Sequence, residues 1–251
     1  MARALVMRSA RPGAILLCAA LFTGVAAADE SFLYRATLVQ AAPGKLLDLI
    51  DLYKSSLPSL AQAGDELPLW MRHSQGDRWD LLLLFPMGSW ADYERPERIA
   101  RREKASLASP AAQARLGDDI ARQEDVFVLG PPLAQVRAAA EKAGFFHVEM
   151  FEVLPGRLAD LKREREMENT YSKRLGRPQN LVFLRVAGAA WDLFTVGCYR
   201  DLKHYAESAD IPAADQDAAA RAAGFTSASD IGPALRAVIS LHHDTLAVAV
   251  R

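Results

Sequence analysis

Apolar and polar positions along this chain alternate between two rhythms. "FLYRATLV" (32–39) and "FFHVEMFEV" (145–153) are rich in β-branched and aromatic residues and predict strands. A Pro-Gly pair follows each, and then apolar residues near helical spacing. In the first stretch these are Leu46, Leu49, Ile50, Tyr53, Leu57 and Leu60; in the second, less regularly, Leu158, Leu161, Met167, Tyr171 and Leu175. The middle of the second helix, "KREREME", reads as solvated on most sides. Gly64 and Gly176 stand where a helix C-cap belongs. "LPLWMRHSQ" and "NLVFLRVA" come next, then Gly76-Asp77 and Gly188-Ala189, then "WDLLLLF" and "WDLFTVG". Glycine as the first of two loop residues predicts a hairpin in each case. Ser89 and Asp201 suit the N-caps of further helices, with Asp92 as a capping-box partner for Ser89. "DVFVLG" and "DTLAVAV" predict a closing strand for each stretch, the second preceded by short helices in "DQDAAARAAGF" and "SDIGPALRAVI".

These parallels share one register. A shift of 112 positions, without a gap, lays Pro43-Gly44 on Pro155-Gly156, Gly64 on Gly176, Gly76 on Gly188 and Trp79-Asp80-Leu81 on Trp191-Asp192-Leu193. It also superposes Leu46, Asp48, Leu49, Leu69 and Tyr93 on Leu158, Asp160, Leu161, Leu181 and Tyr205. About a dozen identities over roughly 64 positions stand against about four or five by chance. The matched Gly, Pro and Trp sit where turns and packing need them, so the pattern predicts a duplication.

Each unit reads β-α-β-β-α-β, the ferredoxin-like order, whose sheet carries its helices on one face and leaves the other to be covered. The fold class expected is α+β, with two such repeats packed sheet to sheet as an intramolecular pseudo-dimeric barrel. The repeats span 31–131 and 144–251, joined by a linker at 132–143 that allows a helix.

The combination of strand, Pro-Gly-Lys/Arg and amphipathic helix, then a hairpin into an aromatic-Asp-Leu strand and a helix bearing Tyr93 or Tyr205, resembles the dimeric α+β barrel superfamily. The likeness is to its stress-responsive and NIPSNAP-like members and covers both units. It implies a barrel with a cavity between two sheets, formed here within one chain, and therefore a monomer. Members of the superfamily include oxygenases, isomerases, dehalogenating enzymes and haem proteins, so the resemblance bears on fold and not on activity.

The start of the chain departs from this pattern. "MARALVMRSARPG" carries three arginines and no acid, "AILLCAALFTGV" is a short apolar run, and Ala26-Ala27-Ala28 follows. This predicts a secretory signal peptide over 1–28, too short for a stable membrane span, and export to the periplasm or beyond. Cleavage moves the formal charge from −1 to −1 − 3 = −4. A mildly acidic chain gives no support to nucleic acid as a partner. Cys18 leaves with the signal and Cys198 is left without an intrachain disulfide partner.

Strand alternation sorts the candidate chemistry. Tyr34, Ala36 and Leu38, with Phe146, Val148 and Met150, form apolar faces expected beneath the helices. Arg35, Thr37 and Val39, with His147, Glu149 and Phe151, are then expected inside the barrel. His147 and Glu149, two residues apart on one face, could serve a general base or one side of a metal site, or form a hydrogen-bonded structural pair. The two-residue hairpin loops set His73 opposite Asp80 and Arg185 opposite Asp192, giving each Asp a basic partner near the barrel side or its end. Catalytic candidates are thus His147, Glu149, His73 and Asp80; ligand-binding candidates are Arg35, Thr37, Phe151, Arg185 and Asp192. Trp79 and Trp191 are expected to pack under the helices. His242 and His243 point to opposite faces and are not expected to chelate one ion together. No zinc-type spacing, phosphate loop or nucleophile elbow is present, and no metal or cofactor is predicted. Three functions remain open: a binder of a small, partly apolar molecule in the barrel, a cofactor-independent monooxygenase or isomerase, and a filled structural module.

Overall fold

The structure, a computed structural model, describes residues 31–107 and 110–250, apart from the side chains of 106–113. The predicted signal peptide and Cys18 lie outside the described residues. Eight strands and nine α-helices follow one another among them. In chain order they are β1 (Phe32–Ala41), α1 (Leu46–Gln62), β2 (Leu69–Gln75), β3 (Leu81–Gly88), α2 (Trp90–Tyr93), α3 (Pro96–Leu107), α4 (Pro110–Asp119) and β4 (Ile120–Gly130). After α5 (Leu133–Ala140) come β5 (Phe145–Val153), α6 (Leu158–Arg174), β6 (Leu181–Ala187), β7 (Leu193–Tyr199), α7 (Leu202–Ala206), α8 (Ala213–Ala223), α9 (Ile231–Arg236) and β8 (Ile239–Ala249).

Local signals act where the sequence puts them. Gly64 and Gly176 take left-handed φ values of 77° and 66° just past α1 and α6. Ser89 accepts the Asp92 N–H, and Asp201 that of His204, capping α2 and α7. The strands close into an antiparallel barrel in the order β1-β3-β2-β8-β5-β7-β6-β4. Val39 pairs with Leu81, and Phe151 with Leu193, in the same register in each half. The halves join at two seams, β2 to β8 and β4 to β6. Closure leaves no strand with an open edge.

The two faces of the strands are the reverse of the sequence-based expectation. Tyr34, Ala36, Leu38, Phe146, Val148 and Met150 belong to one core with Met71, Val126, Val128, Phe183 and Phe194 from both halves, which is the barrel interior. Phe183 stacks on Phe194 at 4.6 Å and meets Tyr34 edge-on at 5.5 Å, across the halves. Val39, Leu81 and Leu83 pack instead on Leu49 and Ile50 of α1. Phe151 and Leu193 pack on Leu161 of α6 and Leu235 of α9. The physical reason is enclosure. The barrel interior is sealed by strands all round and takes the largest apolar side chains. The helix-covered face is open at its margins and tolerates the polar set. Arg35, Thr37, His147, Glu149 and Phe151 therefore lie between strands and helices.

One end of the barrel is stoppered. Val136 of α5 is buried in the interior core, with Leu133 and Ala139 packed beside it. The Tyr34 hydroxyl donates to the Pro131 carbonyl at 2.7 Å, fixing the approach to this helix. The other end stays open.

Gly76 and Gly188 tuck the two hairpins against the seams. A Cβ on Gly188 would stand 2.4 Å from the Asp125 carbonyl oxygen, and its φ is 104°. On Gly76 it would stand 2.1 Å from the Asp244 carbonyl, at φ 120°. Gly188→Ala is therefore expected to lower stability by about 1–3 kcal/mol, read as a shift in the urea midpoint. An unchanged midpoint would mean the hairpin is free to move off the seam.

Candidate functional site

The two WDL stretches sit at the open end. Asp80 N–H donates to Val39 and Asp192 N–H to Phe151, continuing each sheet. Their carboxylates then accept the Ala41 and Val153 N–H groups at 2.8 and 2.9 Å, where the ladder would otherwise run out of partners. The expected hairpin register is present: His73 N–H donates to the Asp80 carbonyl and Arg185 N–H to that of Asp192. The expected side-chain pairs are realised only in part. Arg185 bonds the Asp192 carboxylate. The His73 ring turns instead to the Trp79 ring, 5.8 Å away edge-on, and its Nε2 is buried without a partner.

Trp79 and Trp191 face the barrel interior, not the helices. They line a cavity of about 260 Å³ at the open mouth, between the two halves. Leu38 and Met150 also line it, with Gln40 and Glu152 further out and Arg122, Glu124, Leu241 and His243 from β4 and β8. His243 Nδ1 stands 3.1 Å from Asp77, and Arg122 3.3 Å from Glu124. Arg78 and Glu152 also border the cavity, and neither side chain has a partner among the described residues. The buried Trp79 indole N–H is likewise unpartnered.

A second polar assembly lies between the β5–β8 part of the sheet and α6. His147 Nε2 meets Asp244 at 2.7 Å. Glu149 accepts from Thr195 at 3.0 Å and from Arg165 at 3.4 Å through one oxygen, while its other oxygen stands 3.3 Å from His242 Nε2. Arg165, 2% exposed, also bonds Glu164 at 2.6 Å and pairs with Glu168. Burial alone would push Glu149 up, but the nearby His242 imidazole and the charge of Arg165 outweigh it and hold the carboxyl well below the usual range. Burial pushes Glu168 up to about 7, against Arg165 and with the help of Glu149 and Glu164. Burial would lower His147, yet its bond to Asp244 and the surrounding carboxylates raise it.

The corresponding place in the first half is simpler. Arg35 stands 3.8 Å from Asp125 and its guanidinium covers Phe85, while Thr37 donates to Asp125. Of the residues expected to act together, His147, Glu149 and Phe151 do share one locality, but on the helix side. Arg185 and Asp192 form a separate pair near a seam. Sequence reasoning missed Asp244, His242, Glu164, Arg165 and Glu168, and the mouth residues Arg122, Glu124 and His243. Two signals bear on this. β4 and β8 begin several residues earlier than their apolar runs suggest, at Ile120 and Ile239. And "KREREME" is not solvated all round: Arg165 turns inward to Glu149, and Glu164 turns inward with it and accepts from it.

Comparison with known proteins reaches the fold and stops there. No protein-family model matches the chain, and no curated protein matches it. Among solved structures, an anthrone oxidase-like protein aligns at a TM-score of 0.52 and 12% identity, over 89% of this chain and 93% of that one. A candidate monooxygenase from Lactobacillus acidophilus aligns at 0.51 and 7% identity, over 87% of this chain and 94% of that one. An uncharacterised NIPSNAP domain protein from Burkholderia xenovorans covers 38% of this chain at 21% identity, with a TM-score of 0.30 that is too low to carry the fold. The chain thus has an α+β fold with a closed eight-stranded antiparallel barrel, and the first two of these structures share that fold. Among the described residues no helix is long and apolar enough to cross a membrane.

The helix-side assembly has a defined pH signature. Glu168 shifts from an ordinary 4.5 to about 7, so between these values the native state binds the more protons and stability falls as pH rises. His147 acts in the same direction through and above the ordinary histidine range. Glu149 acts oppositely, losing its contribution only as pH falls below the carboxylate range. Glu168→Gln is expected to gain stability relative to the wild type on going from about pH 5 to about pH 8, measured by urea unfolding at both. An equal difference at the two pH values would show that Glu168 is not held protonated.

Proposed function

We propose that this protein binds a small, flat, partly apolar molecule bearing an acidic group, at the open mouth of the barrel. The observation that carries this reading is the cavity between Trp79 and Trp191, bordered by the Arg78 guanidinium, which has no partner among the described residues. At about 260 Å³ it is near the lower end of ligand pockets, which run from roughly 300 to 1,000 Å³. Aromatic walls favour a planar ligand, and a free cation at the rim favours a carboxylate or phenolate. Side chains fill the middle of the barrel, so the ligand occupies the mouth rather than the centre. The two solved structures of like fold are described as oxidase- or monooxygenase-like, which fits a fold that houses small organic molecules.

We also propose that the chain is a tandem duplication closed on itself as a pseudo-dimer, and that it works outside the cytoplasm after removal of residues 1–28. The 112-residue register and the like strand orders of the two halves support the first point. The basic start, apolar run and Ala26-Ala27-Ala28 support the second. Light scattering on a sizing column is expected to give the mass of one chain; a stable dimer would overturn the internal barrel.

Naphthoate serves as a probe of the mouth. Its titration is expected to quench tryptophan fluorescence saturably. Trp191→Ala and Arg78→Ala should each weaken binding by about tenfold or more, equivalent to about 1.4 kcal/mol. Absence of saturable binding by naphthoate, or binding indifferent to both substitutions, would overturn the assignment of the mouth as the ligand site.

A further inference from the structure

We propose that His147, Glu149, His242 and Asp244 form a site for one divalent transition-metal ion, on the helix-facing side of the second half of the barrel. The site is separate from the mouth cavity and does not depend on it.

The geometry follows from strand pairing. Glu149 of β5 is the direct antiparallel partner of Asp244 of β8. His147 precedes Glu149 by two positions, and His242 precedes Asp244 by two, so all four project from one face. The two imidazoles then lie at diagonal corners with the two carboxylates between them. Ligand atoms of His147, Glu149 and Asp244 all lie within 4.8 Å of one another. His242 Nε2 lies 3.3 Å from Glu149 and 3.6 Å from the second oxygen of Asp244. Ligands about 2.0–2.2 Å from a common ion are separated by roughly 3–4.4 Å, so only small adjustments are required.

The unused valences point the same way. His242 Nε2 is buried, and the groups it approaches are the Glu149 and Asp244 carboxylates, neither in good hydrogen-bond geometry. Glu149 spends one oxygen on Thr195 and Arg165, which fixes its orientation, and turns the other toward His242. Partners that orient a ligating carboxylate in this way are usual around bound metals. With neutral imidazoles and Glu168 protonated, Glu149, Glu164 and Asp244 against Arg165 leave a local charge of −3 + 1 = −2, which a dication offsets. Asp244 is exposed and gives the ion a route in, while Glu149 is buried. Two imidazoles with two carboxylates suit zinc, iron, cobalt or nickel over magnesium or calcium.

The first half of the barrel provides an internal control. There Thr37 pairs with Asp125 and Val39 with Gln123, as Glu149 pairs with Asp244 and Phe151 with His242. Arg35, Thr37 and Gln123 thus replace three of the four ligands, and the Arg35 side chain brings its own positive charge to Asp125. The chain should therefore bind one ion and not two.

The test uses the full chain without an affinity tag, stripped with a chelator. Titration with Co²⁺ is expected to give visible d–d absorption saturating at one ion per chain, displaced by Zn²⁺ and unaffected by Mg²⁺. His242→Gln, which installs the side chain found at the matching position of the first half, should weaken Co²⁺ binding at least about tenfold and alter the spectrum. Glu149→Gln should do the same. His243→Ala, on the opposite face beside Asp77, should leave binding unchanged. Circular dichroism checks that each variant is folded; if Glu149→Gln is not, His242→Gln decides. Two ions per chain, binding indifferent to His242→Gln, or no Co²⁺ and Zn²⁺ binding by the folded wild type would overturn the site.

Discussion

Barrel closure is the constraint on which the rest depends. β4 and β8 are each shared: β4 lies between β1 and β6, and β8 between β5 and β2. Were either seam open, a row of backbone donors and acceptors would face water and the interior aromatics would lose their enclosure. With both closed, Tyr34, Phe146, Phe183 and Phe194 are sealed from solvent. Each such side chain contributes about 1.5–3 kcal/mol through burial. The hairpin glycines and the Asp80 and Asp192 carboxylates belong to the same closure. They let the hairpins lie on the seams and satisfy the backbone where the ladders end.

Burial is then divided unequally between the two faces. The interior is apolar and filled through its middle, with the cavity of about 260 Å³ at its mouth. The helix side of the second half holds Glu149, Glu164 and Arg165 at low exposure. Burying such charge is costly unless every member is paired, and here Arg165 joins three carboxylates on two elements. The first half solves the same place with Leu52 and Tyr53 on α1 and a single Arg35–Asp125 pair on the sheet. One side of the molecule is an ordinary core, while the other holds groups whose chemistry exceeds what packing requires.

Much of the architecture was legible in the sequence because it is written in turn residues. Gly64, Gly76, Gly176, Gly188, Ser89 and Asp201 each act within a few residues of themselves, so their positions locate elements directly. Hairpin register followed from loop length. Which face turns inward did not follow, because alternation separates two sets of side chains without saying which one the barrel encloses. Tyr34-Ala36-Leu38 was equally suited to either side. The site was harder still. Glu149 and Asp244 are 95 residues apart, as 244 − 149 gives, and meet only through the β5–β8 pairing. His242 sits in a polar stretch that does not look like a strand. Glu164 and Arg165 look like surface residues until Glu149 is placed opposite them.

The seam between β2 and β8 also orders events in time. Met71 pairs with Ala249, so that 249 − 71 = 178 residues of chain separate partners in one ladder. Contacts of such long range form slowly. During synthesis, β2 keeps an exposed edge until β8 has been made. Closure of the β2–β8 seam is thus a late event, because one of its two strands is made far later than the other.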